Sequence, residues 1–189
     1  ATPACCFAAT TSVYPESAIF VNNVVTAFPA LASTLAGMSV GGEALGWDDD
    51  ITYVGIGGDG GTLDIGLQAL SGAVERNDNI LYICYDNEAY MNTGVQRSGS
   101  TPYGASTTTT PVGSCSKGCD NTFKKSLFEI MAAHRIPYVA TASTSYPKDF
   151  MEKVAKAKAI KGAKVIHIMA PCPTGWGYPA EKTIEIGKL

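Results

Sequence analysis

The chain has 189 residues, 46% of them hydrophobic, enough to close one buried core. Its formal charge of −3 gives no basic face for nucleic acid. No apolar run approaches the roughly 18 residues that cross a bilayer, so neither a membrane nor a nucleic acid is expected as a partner.

The opening ATPACCFAATTS lacks the basic and apolar regions of a signal peptide and reads like the interior of a domain, so a fragment or a processed chain is expected. Ile51–Ile56 (ITYVGI) is a short, apolar, β-branched run that predicts a strand. Gly57-Gly58-Asp59-Gly60-Gly61 follows, and Thr62–Arg76 then places Leu63, Leu67, Leu70 and Val74 on one helical face. Ile80–Tyr85 (ILYICY) predicts the return strand, parallel to the first. Phe123, Leu127 and Ile130 mark a second helix that leads into a strand at Tyr138–Thr141. Phe150, Val154, Ala157 and Ile160 mark a third helix, followed by the strand Lys164–Ala170. The alternation predicts a single α/β domain over residues 1–189, a mostly parallel sheet flanked by helices. Ligands of such sheets bind beyond the carboxyl ends of the strands.

The glycine-rich turn lies at such an end. Glycines permit close backbone approach, and a helix N-terminus offers free N–H groups to an anion. Gly55 to Gly60 also satisfies the dinucleotide pattern G-x-G-x-x-G, with Glu75 near the usual acidic position. Asp59 argues against that reading, because its carboxylate would face a bound pyrophosphate unless a cation lay between them. Hard cations take carboxylate, carbonyl and phosphate oxygens together, which makes Asp59 a candidate Mg²⁺ ligand.

Twenty-six residues, Gly61 to Asp86, separate Gly-Asp-Gly from Asn87. One helix and one return strand bring Asn87 beside Asp59. GDG followed by 26 residues and Asn is similar to the thiamine-diphosphate motif. That resemblance implies Asp59, Asn87 and the main-chain carbonyl of Ala89 as the Mg²⁺ ligands. The wider string GDGGTLDIGLQALSGAVERNDNILYICYDNEAYMNTGVQ resembles the β subunits of pyruvate:ferredoxin oxidoreductases, as do TPYGASTTTTPVG, HRIPYVATAS and APCPTGW.

The resemblance implies a thiamine-diphosphate-binding fold in the 2-oxoacid:ferredoxin oxidoreductase family. It also implies oxidative decarboxylation of pyruvate to acetyl-CoA and CO₂, or the reverse, with CoA and ferredoxin as co-reactants. Gly58, Asp59, Gly60, Gly61, Thr62, Asn87, Ala89, Tyr90 and Asn92 are the implied cofactor contacts, and Asn92 and Thr93 would lie near the reacting carbon. The family's activating glutamate comes from another subunit, so the chain is expected to be inactive alone. Other 2-oxoacids, and a non-catalytic nucleotide-binding module, stand as alternatives.

Six cysteines occur, at Cys5, Cys6, Cys84, Cys115, Cys119 and Cys172. Their spacing is not that of a small secreted disulfide framework, and a reducing cytoplasm is expected. Relatives of the family carry a [4Fe–4S] cluster held by four cysteines. Cys6, aligned through Tyr14-Pro15, and Cys172, in Ala170-Pro171-Cys172, resemble two of its ligands. The family's N-terminal CxxC pair and its C-terminal arm have no counterpart here, so two ligands are expected from elsewhere. Cys84 reads as core, Cys115 and Cys119 as surface thiols or a local disulfide, and His134 and His167 as non-catalytic.

Overall fold

The computed structural model describes residues 1–3, 20–47, 51–113 and 122–189. The predicted positions Cys6, Cys115 and Cys119 lie outside these residues. A two-residue parallel ladder, β1 (Thr2–Pro3) with β2 (Val25–Thr26), precedes helix α1 (Leu31–Ala44). Strand β3 (Val54–Gly58) and helix α2 (Leu67–Glu75) lead to β4 (Leu81–Asp86). A small hairpin follows, β5 (Ala89–Tyr90) against β6 (Gln96–Arg97). Helix α3 (Leu127–Ala133), β7 (Tyr138–Ser143), helix α4 (Pro147–Lys158) and β8 (Lys164–Met169) complete the alternation. Two short helices, α5 (Pro173–Trp176) and α6 (Thr183–Ile186), close the chain. The main sheet is parallel throughout, in the order β3-β4-β8-β7. No helix among the described residues is long and apolar enough to cross a membrane.

Helix α1 was not anticipated. Its sequence LASTLAGMSVGGEA is apolar and small-residue-rich on most sides, so no single stripe announces it. Leu31 and Leu35 are buried against β3 at the glycines of that strand. A Cβ at Gly55 would lie 2.8 Å from a Leu35 methyl, and one at Gly57 would lie 2.9 Å from a Leu31 methyl and 2.7 Å from the Tyr82 hydroxyl. These two glycines therefore serve close helix-to-sheet packing, which accounts for much of the dinucleotide-like pattern without a dinucleotide.

Three predicted boundaries move. The first strand runs from Val54 to Gly58, two residues beyond the apolar run. The second helix starts at Leu127, where the Ser126 hydroxyl accepts the Glu129 N–H at 3.3 Å, leaving Phe123 outside it and exposed. The helix after β3 opens with a π-helical turn, Gly61–Ile65. Gly66 ends that turn, and a Cβ there would meet the Gly61 carbonyl oxygen at 2.2 Å. π-Turns inside helices recur at functional sites.

Leu63, Leu70, Val74 and Ile80 are fully buried with Tyr82, Cys84 and Val165 in the main core. Leu70→Ala is expected to cost about 3 kcal/mol by denaturant unfolding. Ile65, from the same helix but exposed, should tolerate alanine within about 0.5 kcal/mol.

Candidate functional site

Register places the site. Gly58 pairs with Tyr85 across the parallel β3–β4 ladder, so Asp59 and Asp86 emerge side by side at the carboxyl ends. Asn87 is the next residue. The chain then reverses, with Glu88 in the left-handed region at φ 70°. The Asp86 carboxylate accepts the Glu88 N–H at 2.9 Å, an Asx-type turn that holds this conformation. The end of the Asn87 amide consequently lies 3.2 Å from Asp59 Oδ1 and 2.8 Å from the Ala89 carbonyl oxygen. With its nitrogen inward, the amide bridges both acceptors. With its oxygen inward, three oxygens converge, a donor set that suits a hard cation.

Beside these oxygens the helix begins, and a cleft opens between Phe28, Gly60, Gly61, Tyr90 and Met91. A Cβ on Gly60 would fall 2.4 Å from the Tyr90 ring, and one on Gly61 would fall 2.9 Å from the Phe28 ring. Glycine at both positions lets the aromatic walls close on the helix N-terminus. The Tyr90 hydroxyl donates to the Gly60 carbonyl at 3.0 Å and to Asp64 at 3.2 Å.

The two aspartates have opposite environments. Asp86 is fully buried; its Oδ2 lies 2.7 Å from His167 Nε2 and 2.9 Å from Lys124 Nζ, and accepts the Ser100 hydroxyl. Burial alone raises its pKa, but the His167 hydrogen bond, the Lys124 charge and Ser100 together outweigh it and hold it below the usual range. Asp59, 2% exposed, has no lysine, arginine or histidine in ion-pair range among the described residues, and its side-chain donor is the Ser98 hydroxyl at 2.5 Å. Burial first, then the Asp86 charge, pushes its pKa from 3.8 up to about 7. A buried carboxylate without an internal counter-ion, facing a neutral amide and a carbonyl, is the donor set that a hard divalent cation completes.

Of the predicted residues, Gly58, Asp59, Gly60, Gly61, Asn87, Ala89 and Tyr90 meet around this cleft. Thr62 is adjacent, but its hydroxyl is turned into the sheet, donating to the Gly58 carbonyl at 2.7 Å and lying 3.0 Å from the Tyr82 hydroxyl. Asn92 and Thr93 do not line the cleft; the antiparallel pairing of Ala89 with Arg97 carries them to the exposed tip of the β5–β6 hairpin, where Thr93 donates to Gln96. Cys172 stands just past β8 with a free thiol. Its turn is tied to the Asn87 loop: Trp176 Nε1 donates to the Asn87 carbonyl at 2.9 Å, and a Cβ on Gly175 would meet the Met91 sulfur at 2.1 Å. Cys84 is fully buried, as expected, and His167 is a satisfied residue. Asp86, Ser98, Lys124 and Trp176 were missed, because single polar residues far apart in sequence carry no motif.

A family model described as thiamine pyrophosphate enzyme, C-terminal TPP binding domain, matches residues 6–168. The chain belongs to this family. This thiamine pyrophosphate-binding domain is 57% identical to pyruvate synthase subunit PorB of Methanothermobacter thermautotrophicus, over 97% of the chain and 63% of that subunit. It is 52% identical to ketoisovalerate oxidoreductase subunit VorB of Pyrococcus abyssi, over 99% of the chain and 61% of that subunit. The chain thus spans less than two thirds of the length of these relatives. A chain of the Magnetococcus marinus 2-oxoglutarate:ferredoxin oxidoreductase shares the fold, with a TM-score of 0.78 at 21% identity over 97% of this chain and 56% of that one.

The two aspartates of the thiamine pyrophosphate-binding domain have opposite linkage to pH. Between about pH 4 and 7 the folded state holds a proton on Asp59 that the unfolded state does not, so Asp59 costs stability as pH rises through that window. Asp86, with its pKa depressed, adds stability above the ordinary carboxylate pKa, and that stability is lost as pH falls through its folded value. In cation-free protein at pH 8, Asp86→Asn should lose about 3 kcal/mol in a urea titration, since it leaves Lys124 without its buried partner. Asp59→Asn should unfold no earlier than the parent. An equal loss at both would make Asp59 a structural residue.

Proposed function

We propose that the chain is the thiamine-diphosphate- and Mg²⁺-binding part of a 2-oxoacid:ferredoxin oxidoreductase acting on pyruvate, with CoA as acyl acceptor and ferredoxin as electron acceptor, or catalysing the reverse synthesis. The reading is carried by the convergence of Asp59 Oδ1, the Asn87 amide and the Ala89 carbonyl oxygen beside a helix N-terminus. Asp59, Asn87 and Ala89 would hold Mg²⁺, leaving its other positions to diphosphate and water oxygens. Gly60, Gly61 and Thr62, at the start of the helix, would lie against the diphosphate, with the first main-chain N–H groups of the helix as its donors. Phe28, Tyr90 and Met91 form apolar walls that keep bulk water from the cleft. Thiamine diphosphate, when bound, supplies the carbon nucleophile for decarboxylating a 2-oxoacid, while the protein positions it.

Asn92 and Thr93, on the hairpin tip, would approach the reacting end in the assembled enzyme. Other subunits would contribute the activating glutamate and the rest of the substrate pocket; the relatives' names as subunits support this. Cys172, with Cys6, would supply two thiolates to a [4Fe–4S] cluster whose other two come from elsewhere. A cytoplasmic setting suits such a cluster and the free Cys84 and Cys172. The second reading, a branched-chain 2-oxoacid as substrate, rests on the 52% identity to the ketoisovalerate subunit against 57% to the pyruvate one. Turnover measured across a panel of 2-oxoacids separates the two.

Calorimetric titration of the assembled complex tests the site. Asp59→Ala should abolish Mg²⁺-dependent thiamine-diphosphate binding. Asn87→Ala should weaken it by about tenfold, the loss of one neutral ligand. Unchanged affinity in the Asp59 variant sinks the reading. Cys172→Ser should lower iron content and electron transfer to ferredoxin while thiamine binding survives; a full complement of iron in that variant removes Cys172 from the cluster.

A further inference from the structure

Four consecutive residues, Ser98 to Thr101, bracket the two strand ends. The Ser98 hydroxyl donates to Asp59 Oδ2, the Gly99 N–H to Asp64 Oδ2 at 2.9 Å, the Ser100 hydroxyl to Asp86 Oδ2, and the Thr101 hydroxyl to the Glu88 carbonyl at 2.6 Å. The bracket is itself fixed. Ser98 N–H donates to Thr101 Oγ1 at 3.0 Å, and the Gly99 carbonyl accepts the Lys125 N–H at 2.8 Å. A Cβ on Gly99 would meet Asp64 Oδ1 at 2.5 Å, so the loop approaches the helix as closely as glycine allows.

Ser98 differs from its neighbours in what it holds. It is fully buried, and its Oγ accepts the Ser100 N–H at 3.1 Å, which commits its own proton to Asp59. Asp86 keeps Lys124 and His167 if Ser100 is lost. Asp59 has no second hydroxyl and no cationic side chain bonded to it among the described residues; its other side-chain neighbour is the Asn87 amide, 3.2 Å from Oδ1. We propose that Ser98 is the positioning residue of the cation-binding carboxylate: by holding Asp59 Oδ2 it turns Oδ1 toward the Asn87 amide and the Ala89 carbonyl. This rests on the proposed Mg²⁺ site and assigns that site its orienting group. Partners of this kind, one bond removed from a metal, are typically worth 10- to 100-fold in metal affinity.

Ser100 supplies the control, since it makes the same kind of buried hydroxyl-to-carboxylate bond from the same loop to the other aspartate. The probe is Mn²⁺, a paramagnetic substitute for Mg²⁺, and its uptake by the assembled complex with thiamine diphosphate is followed by electron paramagnetic resonance. Ser98→Ala should weaken Mn²⁺ binding about tenfold or more, and Ser100→Ala should stay within about threefold of the parent, the value of one ordinary hydrogen bond at most. Ser98→Cys, nearly isosteric with a weaker donor, should fall between and carries the test if the alanine variant does not assemble. Parent-like affinity in the Ser98 variant, or equal weakening in both alanine variants, overturns the proposal by making the loop a general scaffold. Absence of Mn²⁺ uptake by the parent complex itself overturns the cofactor reading, and this inference with it.

Discussion

Burying two carboxylates at the ends of adjacent parallel strands sets an electrostatic problem that this chain solves in two ways. Asp86 is compensated from within, by the Lys124 charge and a hydrogen bond with His167. Asp59 is given a hydroxyl and, among the described residues, no internal cation. Like charges at this range raise each other's proton affinity, so the second carboxylate holds its proton to higher pH and releases it more readily when a cation arrives from outside. The pair is thereby divided into one member paired within the fold and one, Asp59, to which the proposed ligand role falls. Lys124 also lies 2.9 Å from Glu88, which occupies the remaining acidic group of the loop and leaves Asp59 as the open position.

Close backbone approach is the second constraint. Gly55 and Gly57 admit α1 against β3, Gly60 and Gly61 admit Tyr90 and Phe28 against the helix start, and Gly66 admits the π-turn. The cleft is therefore shaped by missing side chains as much as by present ones. Trp176 and Gly175 extend the same packing from the Asn87 loop to the Cys172 turn, so the proposed cation and cluster positions share one contact surface.

Much of this was legible in the sequence for a physical reason. A strand, a helix and a return strand have nearly fixed lengths, so Gly-Asp-Gly and Asn87 at 26 residues' separation had to meet at neighbouring strand ends. The strands of the sheet were announced by β-branched runs. Helix α1 was not, because its exposed face carries Gly37, Met38, Val40 and Gly41 in place of charges, so polarity gives it no period. The hairpin that carries Asn92 and Thr93 away from the cleft was hidden too, since strands of two residues leave no alternation to read. Ser98, Lys124 and Trp176 act through tertiary contacts whose partners lie 39, 36 and 89 residues away, and no local pattern encodes those.

The proposed function rests on one carboxylate with no cationic partner among the described residues, one amide and one carbonyl placed beside a helix N-terminus, which favours an anion. The central claim is that a divalent cation bridges these oxygens to a diphosphate. Anomalous diffraction from crystals of the assembled protein grown with Mn²⁺ and thiamine diphosphate tests it most directly. The account predicts a single manganese peak among Asp59, Asn87 and the Ala89 carbonyl in this chain. A peak at Asp86 and Glu88 instead, or well-ordered thiamine diphosphate in the cleft with no manganese beside it, would contradict the account.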